Sequence, residues 1–498
     1  MNTKKNMVTD ATILAFVKCV TMFVSIIQTM ILARTLSKTD YGTYSQALLV
    51  VSFLGPFFSL GLENTINYFY NRSKNAKMNK SYIDTIFTLS LVSGVTCGFI
   101  IIGLKNQLGL FFDNSNIKPL IMYIAFRPCL QNLIALYQPM YISSGYVRII
   151  AVRNLLISII QIIIVGWFSY FYNNISLILL LLLLLDIVQF IYFTIIYRKK
   201  VFKISMLHPN FALFGEILKY SLPMFFSISI GTISTNIDKL VVSGLMTIED
   251  YALYSNVSKE LPFSFIINSF TTVITPFIIK FINNNKKDKF KKLWSFYLEI
   301  GYRTTWPLCF GAFLLAPELI KILYSDLYLT GEGIVVFRLY IIVAMFRFTY
   351  FGIVPTAIGR TDIIMKYSLF GCLLNLFLNY PMFYLLGMLG PAVATIISMI
   401  VSAIFYFRSS IKLVDINISE IIASKKIIIF IVKMVFCGTI ARIIVSALEN
   451  YLPNMSCSVA LILGYLIICM LMIGIDYKNM KSIVEFMNNQ LNEILEEN

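Results

Sequence analysis

From residue 11 to residue 475 the chain alternates apolar runs of about 20 residues with short polar loops. Within a bilayer no water is present to satisfy backbone N–H and C=O groups, so only helices and closed barrels can span it. Barrel strands need about 9–11 residues, whereas a helix needs about 20, so these runs predict an all-α integral membrane protein. Composition agrees: 58% of residues are hydrophobic, 13% are charged and the mean hydropathy is +0.79. Soluble domains sit nearer half apolar and a quarter charged. Periodicity and length place about fourteen spans, at 11–33, 43–62, 82–103, 119–141, 150–172, 175–197, 217–237, 253–279, 295–316, 333–354, 364–386, 389–407, 427–448 and 456–475. The polar N-terminus, and the lack of an A-x-A-like site after the first run, lead us to read that run as a retained span.

The net charge of +16 would suggest nucleic acid in a soluble protein. Here most basic residues lie in short loops, so we expect anionic lipid headgroups and no nucleic acid. Even-numbered connections and the termini carry about 27 Lys and Arg, the opposite loops about five, which predicts cytoplasmic termini. Clusters such as Lys286, Lys287, Lys289, Lys291 and Lys292 make the bias. The eight cysteines are scattered through apolar segments without CxxC spacing, and the one histidine, His208, stands alone in a polar loop. Neither a metal nor an organic cofactor is expected. No loop exceeds about 20 residues, which leaves no room for a soluble catalytic domain.

The stretch ILARTLSKTDYGTYS, Ile31 to Ser45, returns as VVSGLMTIEDYALYS at 241–255. With an offset of 210, Asp40-Tyr41 falls on Asp250-Tyr251 and Tyr44-Ser45 on Tyr254-Ser255. So long a period excludes a solenoid and suits a transporter of two similar halves with a site between them. The repeat predicts a six-helix lobe at 1–199, a cytoplasmic linker at 200–216 and a pseudo-symmetric six-helix lobe at 217–410. Two extra transmembrane helices at 411–476 and a cytoplasmic amphipathic tail at 477–498 complete the chain. A monomer is expected.

Ionised side chains in hydrocarbon cost at least about 2.5–3.5 kcal/mol, so those retained there usually face a cavity or a partner. Lys18, Thr21, Ser25 and Gln28 share one face of the first span. Ser45, Ser52, Ser59 and Glu63 lie near one stripe of the second, and Ser227, Gly231, Ser234 and Asp238 form another on the seventh, with Lys239 next. On the eighth, Ser255, Lys259 and Pro262 share a face beside Glu260. Polar stripes on equivalent helices of both halves predict a cavity that both line. Its candidate cations are Lys18, Arg127, Lys239, Lys259, Arg303 and Arg347. Its polar face would comprise Thr21, Ser25, Gln28, Ser52, Ser59, Ser227 and Ser234. Glu63, Asp186, Asp238 and Glu260 are candidates for coupling H+ or Na+. Each has a structural alternative. The hydroxyls can bond their own backbone, Glu299 and Arg303 can pair at i,i+4, Asp186 can pair with a cation on another helix, and Lys433 and Arg442 can snorkel or pair locally.

Ala33-Arg34-Thr35-Leu36, Asp40-Tyr41-Gly42-Thr43-Tyr44 and Ser59-Leu60-Gly61-Leu62-Glu63, echoed by Ser221-Leu222-Pro223 and Asp238-Lys239, resemble polysaccharide-biosynthesis flippases of the Wzx type. These belong to the multidrug/oligosaccharidyl-lipid/polysaccharide exporter superfamily. The second copy departs from the pattern at Ala252, where the first has Gly42. The resemblance implies export of undecaprenyl-diphosphate-linked oligosaccharide from the inner to the outer leaflet of a bacterial cytoplasmic membrane, by alternating access, for O-antigen, capsule or similar assembly. Polysaccharide polymerase machinery would be a partner. Cations would meet the diphosphate, and hydroxyl and amide groups the sugars. Two other readings predict different behaviour. A cation-coupled multidrug extruder of the same superfamily would lower dye accumulation. A membrane glycosyltransferase or polymerase would need carboxylate clusters or a large catalytic loop.

Overall fold

In the computed structural model, the described residues are 2–72, 76–200, 209–259, 261–451 and 456–496, and side chains are described for most of them. Every long element among them is an α-helix. Packing divides the chain into two compact units, 1–256 and 257–498.

The first unit holds α1 (Asn2–Thr35), α2 (Lys38–Ser59), α3 (Leu62–Arg72), α4 (Ala76–Gly103), α5 (Lys105–Phe111), α6 (Ile117–Ile124) and α7 (Arg127–Ser143). It continues through α8 (Val147–Phe171), α9 (Ile175–Lys200), α10 (Phe214–Leu245) and α11 (Ile248–Val257). Its boundary thus falls beyond the segment 200–216, because α10 packs on α2 and hydrogen bonds tie residues 243–256 to 39–46. Two breaks explain local sequence. Leu60 and Gly61 take φ of 50° and 66°, which ends α2. A Cβ at Gly61 would stand 2.8 Å from the Ser221 carbonyl oxygen, so glycine serves both the turn and the approach of α10. Pro128, in the first turn of α7, suits a helix start, where its missing N–H costs nothing. The core of this unit is aromatic, with Phe69, Phe87, Tyr137, Tyr141, Phe193 and Tyr197 all buried.

The second unit holds α12 (Ser264–Asn283), α13 (Lys287–Leu314), α14 (Ala316–Tyr324), α15 (Gly331–Phe346), α16 (Ile353–Ile358), α17 (Thr361–Leu386), α18 (Leu389–Val414), α19 (Ser424–Tyr451) and α20 (Cys457–Glu496). Among the described residues eleven helical stretches are long and apolar enough to cross a membrane, or twelve if α13 and α14, bent by 80°, form one. Fourteen spans are compatible with this. The eighth expected span is divided between α11 and α12 around Pro262, and the tenth between the 16-residue α15 and the short α16. The protein is a multi-pass membrane protein. The helix α20 runs on to Glu496, while the side chains of the 477–498 tail, His208 and Glu260 lie outside the described residues.

Candidate functional site

Two adjoining polar cavities lie inside the first unit. One, of about 450 Å³, is lined by Gln28, Tyr44, Ser52, Arg127, Gln131, Asn132 and Gln161 among others. The other, of about 380 Å³, shares Gln131 and Gln161 and adds Thr21, Gln138, Arg153, Asn154, Asp186 and Gln189. Their walls come from α1, α2, α7, α8 and α9. Such pockets are in the size range that buries a small ligand, about 300–1,000 Å³.

The electrostatic centre is a connected chain of side chains. Arg127 Nε donates to Asp186 Oδ2 at 3.0 Å, with both side chains under a tenth exposed. Gln189 Nε2 donates to Asp186 Oδ1 at 3.3 Å, and Gln189 Oε1 accepts from Arg153. Arg153 also donates to Asn154 Oδ1 at 2.7 Å, and its guanidinium lies 5.2 Å from the Phe193 ring centroid. Arg127 holds the carboxylate directly and Arg153 is linked to it only through Gln189, so two guanidiniums and one carboxylate leave the cluster with a formal charge of +1. Breaking a buried pair by removing one partner costs about 3–5 kcal/mol, so Arg127 and Asp186 hold α7 to α9 as well as lining the cavity.

The expected polar residues divide. Thr21, Gln28, Ser52, Arg127 and Asp186 line the cavities. Arg127 and Asp186, expected in separate roles as cation and coupling site, are one ion pair. Thr21, Ser52, Ser59 and Ser227 donate to the carbonyls of Lys18, Leu49, Pro56 and Pro223 three or four residues back, as intramembrane hydroxyls often do. Lys18, Ser25, Glu63 and Lys259 are exposed, and Lys239, Ser234 and Arg347 half-buried. Asp238 is buried and accepts from the Tyr254 hydroxyl at 3.2 Å.

Arg303, expected among the cavity cations, is held instead in an ion cluster. Its side chain is 3% exposed, enclosed by Glu299 at 2.9 Å and by Asp476, between the rings of Tyr302 and Phe430. Its charge is neutralised within the packing of α13 against α20. Lys433 joins Asp476 at 3.4 Å, and Arg442 pairs with Glu318. Polar residues of the last two helices therefore serve as ties within the second unit. That unit carries a different cavity, of about 460 Å³, walled mainly by apolar residues such as Trp306, Phe348, Phe351, Phe407 and Ile421.

Sequence reasoning missed Arg153 and the carboxamides Gln131, Asn132, Gln138, Asn154, Gln161 and Gln189. A signal was present: Gln131 and Gln138, and Asn154 and Gln161, are each seven residues apart in apolar helices, which puts each pair on one face.

Comparison with known proteins fits this architecture. A family model described as "Polysaccharide biosynthesis protein" matches residues 31–331, more than half of the chain. The capsular polysaccharide biosynthesis protein CapF of Staphylococcus aureus is 22% identical over 383 residues, 76% of this chain and 92% of CapF. Among solved structures, the lipid II flippase MurJ in an inward closed conformation superposes with a TM-score of 0.72 at 16% identity, covering 93% of this chain and 99% of MurJ. An inward-facing multidrug resistance MATE transporter of the MOP superfamily gives 0.65 at 12% identity, over 79% and 94% of the two chains. The structural likenesses establish a shared fold. The family match, over more than half of its length, shows that the chain belongs to the polysaccharide biosynthesis protein family.

Proposed function

We propose that this chain moves an undecaprenyl-diphosphate-linked oligosaccharide from the inner to the outer leaflet of a bacterial cytoplasmic membrane, by alternating access, with both termini cytoplasmic. The observation that carries the reading is a polar cavity with surplus positive charge inside a bundle of apolar helices. A diphosphate with sugars cannot cross hydrocarbon unaided, and a hydrated route with cations removes that cost. The S. aureus relative's role in capsule biosynthesis supports a capsule-type glycan as cargo. Lys18 and Lys259, both exposed, are the cations we assign to the diphosphate in transit. Outward movement of a dianion gains about 2.3 kcal/mol per charge per 100 mV, and inward H+ or Na+ at Asp238 or Asp186 is the alternative drive. Polymerase machinery would take up the exported unit.

The test is reconstitution in liposomes with a fluorescent lipid-linked oligosaccharide. Wild type should raise the fraction accessible to a membrane-impermeant quencher, and a Lys18→Gln/Lys259→Gln double variant should insert normally yet transport little. Unchanged transport by that variant would remove the assignment of the lysines.

A further inference from the structure

Seven carboxamides converge on the cavities of the first unit: Gln28, Gln131, Asn132, Gln138, Asn154, Gln161 and Gln189. A carboxamide sets a donor beside an acceptor, which matches the adjacent hydroxyls of a pyranose better than it matches a drug-like cation or a bare ion. Apolar neighbours cannot satisfy such groups, so their concentration inside a membrane bundle calls for a polar occupant. Two donors already lack partners there: Gln28 Nε2 and Arg153 Nε are both buried without a hydrogen bond. The charge is uneven as well. Asp186 is bonded to Arg127, while Arg153 reaches only the carboxamides of Gln189 and Asn154, which leaves a guanidinium with no carboxylate hydrogen-bonded to it.

We propose that this cavity is a sugar subsite selecting a pyranose that carries a carboxylate, with Arg153 facing the acid and the carboxamides facing the hydroxyls. The subsite rests on the flippase reading, because the sugar arrives on the lipid carrier. It adds to that reading a class of cargo, acidic glycans, and a place for their recognition distinct from the lysines assigned to the diphosphate.

The test uses full-length protein in nanodiscs, with methyl glucuronide, methyl glucoside and inorganic phosphate as soluble probes, followed by saturation-transfer NMR. The glucuronide should bind at least about tenfold more tightly than the glucoside, as expected of one charge-assisted hydrogen bond. Arg153→Gln should erase that preference, Arg153→Lys should keep part of it, and Gln161→Leu should weaken both sugars. Arg153→Gln leaves the Arg127–Asp186 pair in place, so its melting temperature serves as a check on folding. Equal binding of both sugars, or a preference that survives Arg153→Gln, would overturn the proposal. Phosphate displacing the glucuronide at equal concentration would reduce the site to a simple anion trap and overturn it too. In liposomes, Arg153→Gln should slow an acidic lipid-linked glycan about tenfold more than a neutral one. If wild type moves neither lipid, the flippase reading fails; if it moves both and Arg153→Gln slows them equally, only the subsite fails.

Discussion

The two copies of the repeated stretch are alike in what each does locally and unlike in what each meets. Ser37 caps α2, its Oγ accepting from the Asp40 N–H at 3.0 Å and lying 2.8 Å from Asp40 Oδ2. Thr247 does the same for α11 with Asp250, at 3.1 and 2.7 Å. The tyrosines that follow, Tyr41 and Tyr251, are each 2% exposed and each reaches into the other copy. There the likeness ends. Tyr41 Oη donates to the Asn256 side chain at 2.5 Å, whereas Tyr251 Oη reaches only the Ser45 carbonyl at 3.4 Å. Gly42 lies against α11 so closely that a Cβ there would stand 2.5 Å from the Ile248 carbonyl oxygen, while its counterpart Ala252 has its methyl group fully buried. The first copy also carries a polar extension, with Asn114 donating to Thr43 and Gln46, and Gln46 to Ser243. A duplicated sequence thus reproduces its caps, but where the copies meet only one of them has to give up a side chain.

Substitution at the glycine should break the comparison most severely. Gly42→Val forces two helix backbones apart and should cost about 1–3 kcal/mol or more, whereas Ala252→Gly should cost about 0.5–1. Thermal unfolding in detergent would order the two, and an equal loss would mean that the close approach is not used. The tyrosines sharpen the asymmetry at a smaller scale. Tyr41→Phe takes from the buried Asn256 the hydroxyl its oxygen accepts from, for about 1–3 kcal/mol, and Tyr251→Phe should cost clearly less. The same melts would show it.

The smallest effect belongs to the exposed bond from Thr39 Oγ1 to Glu249 Oε1, at 2.9 Å, two residues that are themselves an offset of 210 apart. The backbone N–H at the start of α11, then the Thr39 hydroxyl, hold the Glu249 carboxyl below its usual range. A carboxyl depressed on folding stabilises the protein above its unfolded value, near 4.5, and that contribution fades as pH falls through the folded value. Glu249→Gln should therefore flatten the acid limb of the stability profile while changing neutral-pH stability by less than about 1 kcal/mol. An unchanged acid limb would assign that limb to other carboxyls.

How far the fold could be read in advance follows from which interactions are local. Span positions were legible wherever one apolar run makes one helix, as in α8 and α9, and less so where Pro262 or a short α15 divides a span. The charged residues Arg127 and Asp186 both stood out in apolar surroundings, but nothing in the chain says that residues 59 apart pair with each other. Arg303 stood out equally, and its partner Asp476 lies 173 residues away. The carboxamides are hard to see in the sequence because an uncharged polar side chain weighs little in a hydropathy profile. In a cavity, by contrast, its two hydrogen-bonding ends weigh heavily.

By itself, then, the amino-acid order determined that this protein is a bundle of membrane helices, where most of them start and stop, and that one loop-and-cap device is used twice. Those are matters of helical pitch, apolar length and side chains bonding backbone three residues away, all settled within a turn or two. Only the tertiary structure decided which buried charges neutralise one another and which remain turned toward a cavity. That choice depends on the rotation and crossing of helices far apart in sequence, and a carboxylate's partner is whichever guanidinium the packing brings within 3 Å.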